Sequence, residues 1–190
     1  MRISLLIAGL LALGATVAAA AAPARYLLQK DESVVGFTWM LGPDAVNGTM
    51  PVTGADLVID FDSVANSHVA VTLDVARAEA GLPFATEALK GPKVLDAGEY
   101  PEIAFKSRQV LRDGDGAKVE GDLTIRGVTR PVVFDAKLYR QRGTEAGDRR
   151  LMSVVVTGTV NRSDFGADGW AGTVGDRVKL TILARMQLAE

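Results

Sequence analysis

The chain has no cysteine among its 190 residues. Disulfide staples, cysteine zinc sites, covalent haem attachment and a lipid-anchored N-terminal cysteine are therefore excluded. Stability has to come from packing and strand pairing. Histidine is nearly missing too, since His68 stands alone. It opens a strand on the polar side with Ala70 and Thr72, and no serine or carboxylate pairs with it by spacing, so a solvated residue is the expectation rather than a general base. A surplus of either charge is also lacking: 21 Lys and Arg against 23 Asp and Glu leave a net charge of −2. That balance offers no overall electrostatic footprint for nucleic acid or an anionic membrane. Arg140, Arg142, Arg149 and Arg150 cluster around a Gly-rich turn, but Glu145 and Asp148 interrupt them, as in a solvated hairpin end. Gly-rich phosphate loops are absent. Asp56, Asp60 and Asp62 have the spacing of a metal loop, yet Leu57, Val58, Ile59 and Phe61 between them read as a strand. The glycine turn and distal glutamate of a calcium loop are missing, and no metal site is assigned.

Long apolar runs are confined to the N-terminus. Arg2 is followed by an apolar run from Ile3 to Val17 and the small-residue tract Ala18 to Ala22 before Pro23, the order of a secretory signal peptide cleaved near Ala20 or Ala22. The run is shorter than the roughly 20 residues that a spanning helix needs. The expected organisation is a signal peptide over residues 1–22, one domain over residues 23–190, no transmembrane segment after cleavage, and export to the periplasm.

What remains is alternation. Around Gly121 to Phe134, Val119, Leu123 and Ile125 oppose Glu120, Asp122, Thr124 and Arg126; after a turn at Gly127, Val128 and Thr129, Val132, Phe134, Ala136 and Leu138 oppose Asp135 and Lys137. This predicts a β-hairpin with Pro131 as the first residue of its second strand. Further strands are expected at Val34 to Trp39, ending in the turn-rich LGPDAVNG, and at Ala55 to Phe61, Val69 to Val75, Ile103 onward, Leu151 to Asn161 and Val178 to Met186. One short helix falls within Phe84 to Asp96, cut by Gly91 and Pro92. The fold class is all-β, about eight antiparallel strands closed as a barrel or stacked as a sandwich. Gly158 and Ala184 sit among the larger residues of two apolar stripes, and the room they leave favours a barrel, just wide enough for a slender ligand, over a sandwich. Periodicity alone nonetheless favours a filled core over a ligand cavity, because every sheet shows apolar stripes.

The segment GDLTIRGVTRPV at Gly121 to Val132 resembles the G-x-L-T-I-x-G-x-T-x-P-V signature of the YceI-like family. Tyr100, Pro101, Phe105 and Ser107 are similar to its Y-P-x-x-x-F-x-S run, and Asn161 to Gly166 to its R-x-D-F-G motif. The resemblance implies an extended eight-stranded antiparallel lipocalin-like barrel with one short helical segment. It also implies a periplasmic binding, carrier or storage role for a polyisoprenoid or similar long apolar lipid, such as an isoprenoid quinone or polyprenyl lipid, with no cofactor required and no catalysis. The inward residues expected to line such a site are Val35, Phe37, Trp39, Ile103, Phe105, Phe134, Met152, Val154, Leu180 and Met186. Arg162 and Asp164 are expected to fix the turn before Gly166. Family histidines and charged groups are replaced at Glu32, Ala85, Thr86 and Ala88, with Ser33 kept, so recognition of a polar head is expected to differ here. The alternative is a protein-interaction or envelope-stress module with a packed, ligand-free barrel. Oligomeric state is left open, a homodimer included.

Overall fold

The computed structural model describes residues 22–190. The expected signal peptide lies outside the described residues but for Ala22. Its strand segments are β1 (Ala24–Leu28), β2 (Val34–Leu41), β3 (Asp44–Met50), β4 (Val52–Ile59), β5 (His68–Asp74), β6 (Glu79–Ala80), β7 (Glu102–Asp113), β8 (Gly116–Ile125), β9 (Val128–Arg140), β10 (Leu151–Asn161) and β11 (Arg177–Leu188). Among the described residues the one α-helix, α1, spans Pro83–Lys90.

These segments build a closed antiparallel barrel of eight staves. β11 pairs with β10 along its length, while its other edge is shared by β2, from Lys179 opposite Thr38 to Leu183 opposite Val34, and by β1, from Leu28 opposite Met186. β1 and β2 are thus one stave interrupted by a 3-10 turn at Lys30–Glu32. β3 and β4 form a second stave that bends at Pro51, and β5 with its short continuation β6 forms a third, because β4 pairs with β5 while β3 pairs with β6. The sheet closes on itself, which removes the free edges of an open sandwich.

Local sequence explains most of these elements. β10 is rich in Val and Thr, whose branched side chains suit a pleated surface, and it runs over Leu151–Asn161 as expected. Between β8 and β9 the turn is Arg126–Gly127, with φ of 50° and 70°, so Val128 and Thr129, expected in the turn, instead open β9. Two successive left-handed residues make the tight turn that matches strand twist. Arg126 is held there by donating to the Pro92 and Val94 carbonyls, both at 2.9 Å. In α1, Pro83 occupies the first turn, where its missing N–H is harmless; the helix stops at Gly91, just before Pro92.

Three expectations are corrected. The turn-rich LGPDAVNG holds a turn only at Gly42 and Pro43; Asp44–Met50 is a strand whose Val46, Gly48 and Met50 are buried in strict alternation. Turn-forming Asp44, Asn47 and Gly48 masked that period, which pairing with β2 and β6 enforces. Pro131 is not the first residue of β9 but its fourth, opposite Asp122. Antiparallel pairs alternate between bonded and non-bonded, so with Ile125 and Val128 closing the turn the Asp122–Pro131 pair is non-bonded and needs no proline N–H. On the other side, β9 pairs with β10 only from Asp135 onward. Finally, β1 was not expected at all; its five residues become a strand by closing the barrel between β4 and β11.

Candidate functional site

The barrel interior is not filled. It encloses a cavity of about 880 Å³, far beyond the water-sized voids of a packed core and within the range of ligand pockets. A packed barrel, the premise of the interaction-module alternative, is therefore not what the chain builds. All ten residues expected to line a site do line the cavity: Val35, Phe37 and Trp39 from β2, Ile103 and Phe105 from β7, Phe134 from β9, Met152 and Val154 from β10, and Leu180 and Met186 from β11.

The space arises differently from the expectation. At Gly158 the room is taken by the Phe134 ring, which a Cβ there would overlap. Phe37 lies in the same way over Gly48, and Phe105 over Gly121, where an added Cβ would approach either ring to 2.6 Å. Each glycine lets an aromatic ring lie down against the barrel wall instead of projecting inward. The rings then pack on one another, Phe37 stacked on Trp39 with centroids 5.7 Å apart and Phe105 tilted on Phe134 at 5.3 Å. The wall is aromatic and the lumen stays open.

The two ends of the cavity differ. At the end formed by residues 60–67, the β7–β8 turn and residues 141–150, the lining includes Asp60, Arg112, Asp115, Lys137 and Arg149. Arg149 binds Asp62 through two N–H groups at 2.9 and 3.2 Å and covers the Phe61 ring at 5.2 Å. Lys137 pairs with Asp115 at 3.3 Å. Of the four arginines expected at this solvated turn, Arg149 pairs with Asp62 and Arg150 with Asp148, whose carboxyl pKa the Arg150 hydrogen bonds lower to about 2.

Asp60, only 3% exposed, organises this end. It accepts from the Ser63 and Asp62 N–H groups at 2.7 and 3.0 Å and from Asn66 Nδ2 at 2.9 Å. These donors, the Ser63 N–H foremost, hold its carboxyl below the usual carboxylate range. A depressed folded-state pKa contributes stability that is present above the unfolded value near 4 and is lost as pH falls through the folded one. Asp60→Asn is therefore expected to destabilise the protein at neutral pH, with the gap from the parent closing below about pH 4; urea unfolding across that range measures it. Asp56 and Asp62 are instead paired with Arg25 and Arg149, and among the described residues no cluster of acidic or histidine ligands forms a metal site. His68 starts β5 opposite Val58, half-buried.

The opposite end is capped by α1, residues 91–101 and residues 162–176. Here Phe84, Ala85, Ala88 and Leu89 from α1 and Trp170, Thr173 and Val174 join the lining. Ala85 and Ala88 make the wall at this end apolar. Arg162, 8% exposed, is the one charged lining residue at this end. Its guanidinium is spent on the carbonyls of Gly175 (3.1 Å), Gly169 (2.9 Å), Val174 (2.9 Å) and Ala167. It therefore pins the loop over the barrel end, while Asp164 receives Asn161 Nδ2 at 3.3 Å. Ser33 lines the cavity near β1, its hydroxyl donating to the Gln29 carbonyl at 2.8 Å and accepting the Arg185 N–H at 3.0 Å; Glu32 pairs with Arg185 at 2.7 Å. The α1 and Trp170 contributions were missed in sequence, because only the helical spacing of Phe84, Ala88 and Leu89 was visible and not what they cover.

Comparison with known proteins places this architecture. The model of the YceI-like domain matches residues 26–186. Protein YceI of Escherichia coli is 29% identical over 148 residues, covering 78% of this chain and 74% of that protein. Among solved structures, BcnA of Burkholderia cenocepacia superposes with a TM-score of 0.76 at 20% identity, covering 84% of this chain and 99% of that one. A polyisoprenoid binding domain from Saccharophagus degradans, implicated in plant cell wall breakdown, superposes with a TM-score of 0.65 at 11% identity, over 87% and 99%.

Proposed function

The chain belongs to the YceI-like family, and from that membership and the open apolar cavity we propose that it is a periplasmic carrier or storage protein for a polyisoprenoid or similar long apolar lipid. The observation that carries this reading is the cavity of about 880 Å³ whose walls are apolar along their length and charged at one end. A slender apolar chain gains roughly 0.8 kcal/mol per buried methylene, so a few isoprene units supply ample driving force. Ordering costs must offset much of that sum, since total affinity saturates near 20 kcal/mol. The solved domain named for polyisoprenoid binding supports the ligand class through its shared fold.

Binding without turnover is the reading that the polar lining supports. The Ser33 hydroxyl is committed to backbone groups, and the Ser67 hydroxyl accepts the Asp60 N–H at 3.0 Å. Neither hydroxyl is hydrogen-bonded to a carboxylate or an imidazole, the partner that an activated nucleophile requires. Export to the periplasm rests on the N-terminal segment read from sequence. A bound isoprenoid quinone or polyprenyl lipid is the proposed occupant, and no catalytic cofactor enters.

The test is to purify the protein from the cell envelope and analyse organic extracts by mass spectrometry, then add quinones of graded tail length. A stoichiometric lipid, or uptake that strengthens with tail length, is the expected result. Ala184→Phe, which fills part of the lumen, should weaken uptake of the longest tails by about tenfold, the equivalent of one or two lost methylene contacts. Recovery of no lipid combined with no uptake would sink the proposal.

A further inference from the structure

We propose that the α1 end of the barrel is a docking rim for a lipid bilayer, through which an apolar chain passes between membrane and cavity. This rests on the lipid-carrier reading above and adds the surface by which the cargo is exchanged. The apolar lining does not stop inside the barrel. Phe84 and Trp170 both line the cavity, yet they are 63% and 48% exposed. Leu82, immediately before α1, and Met40, whose carbonyl accepts the Gly175 N–H at 2.8 Å, add exposed apolar surface at the same end. Large apolar side chains exposed together at one end of the barrel mark a candidate interaction surface.

The exposure is built rather than incidental. α1 is anchored by Ala85, buried against Trp39 and Val46, and by Thr86, whose hydroxyl accepts the Ala80 N–H at 2.9 Å. Seating those residues leaves Phe84 turned outward. Trp170 sits at φ 55°, a left-handed conformation that a bulky side chain rarely adopts. Its carbonyl accepts the Thr173 and Val174 N–H groups at 2.9 and 2.8 Å, and the preceding Gly169 is tied to the Lys93 carbonyl at 3.0 Å. A strained backbone thus presents an indole to solvent, and such outliers concentrate where the fold serves a function.

A bilayer fits this surface better than a folded partner. Phe84 and Trp170 belong both to the cavity wall and to the exposed surface, so the cavity reaches toward the outside at these residues; an occupant that sealed this end would strand the cargo, whereas a bilayer both covers the apolar residues and supplies apolar chains. Tryptophan favours the boundary between headgroups and acyl chains. Lys93 Nζ lies 5.6 Å from the centre of the Trp170 ring and has no carboxylate partner among the described residues, which places a cation beside the indole at headgroup level. At the opposite end Leu111, Leu138 and Tyr139 are exposed as well, but of these only Leu138 lines the cavity, and there it stands among the charged lining residues Asp115 and Lys137.

The experiment uses the mature protein and phosphatidylcholine vesicles, with and without phosphatidylglycerol. In a Trp39→Phe background Trp170 is the sole tryptophan, since the chain has 2. Its fluorescence should be quenched by brominated acyl chains, and the protein should co-float with vesicles, more so when phosphatidylglycerol is present. Trp170→Gly, which relaxes the left-handed backbone, is expected to melt no lower than the parent while losing about tenfold in vesicle partition. Leu82→Asp, outside the cavity lining, should slow transfer of a fluorescent polyprenyl probe from vesicles without altering uptake of the same probe from aqueous dispersion. Absence of quenching and co-flotation overturns the rim, as does a concentration-dependent dimer that shields Trp170 instead. Vesicle binding without probe uptake from any source would uphold the rim and refute the carrier reading, so the two fail separately.

Discussion

Replacing Arg162 by alanine is expected to destabilise the protein by about 3–5 kcal/mol, the largest effect of any single surface-distant polar change here. The substitution removes a guanidinium that satisfies the carbonyls of Ala167, Gly169, Val174 and Gly175. Hydrogen bonds to a charged donor contribute roughly 1.5–3 kcal/mol each, though four sharing one side chain do not add. Lysine should not rescue, because a single ammonium cannot reproduce the planar fork that reaches carbonyls on several sides. Urea unfolding gives the stability change. Trp170 fluorescence should respond in the native baseline, because the same bonds hold residues 167–175 over the barrel end. A loss below about 1 kcal/mol would mean that water replaces Arg162 readily, and the loop would then need another anchor.

Gly158→Ala should cost about 1–3 kcal/mol and weaken ligand uptake together. In an ordinary strand, glycine to alanine is mildly favourable because it reduces the freedom of the unfolded chain. Here the new methyl overlaps the Phe134 ring, and the ring can escape only toward the lumen or by displacing Phe105, whose centroid lies 5.3 Å away. Stability and cavity volume should therefore fall together. Combining Gly158→Ala with Phe134→Leu tests the cause: if the ring is responsible, the double variant is less destabilised than the sum of the two singles. A neutral or stabilising Gly158→Ala would show that the wall accommodates the methyl, and the glycine would lose its assigned role.

That glycine marks the limit of what alternation reveals. Its presence in an apolar stripe is legible, and so is the stripe's direction, but not which neighbour fills the space beside it. In the folded barrel the neighbouring stave delivers Phe134 across that gap, so the glycine makes room for a ring and the ring's recumbent position makes room in the lumen. β3 was hidden for a related reason. Asp44, Asn47 and Gly48 favour turns locally, and only pairing on both sides turns them into a strand. Long strands with uniform Val and Thr, such as β10, needed no such help.

Residue order alone specifies the strand periodicity, a hairpin around Gly127, one short helix, the exclusion of cysteine chemistry and the inward-facing set from Val35 to Met186. Those properties follow from side-chain alternation and backbone preference, which act between near neighbours. Tertiary structure alone decided that β1 closes the ring and that the barrel is hollow. It also decided that charge gathers at one mouth while Phe84 and Trp170 stand exposed at the other. Each depends on residues from distant staves meeting in space, where the volumes of paired side chains and the register of closure set how much of the interior is filled.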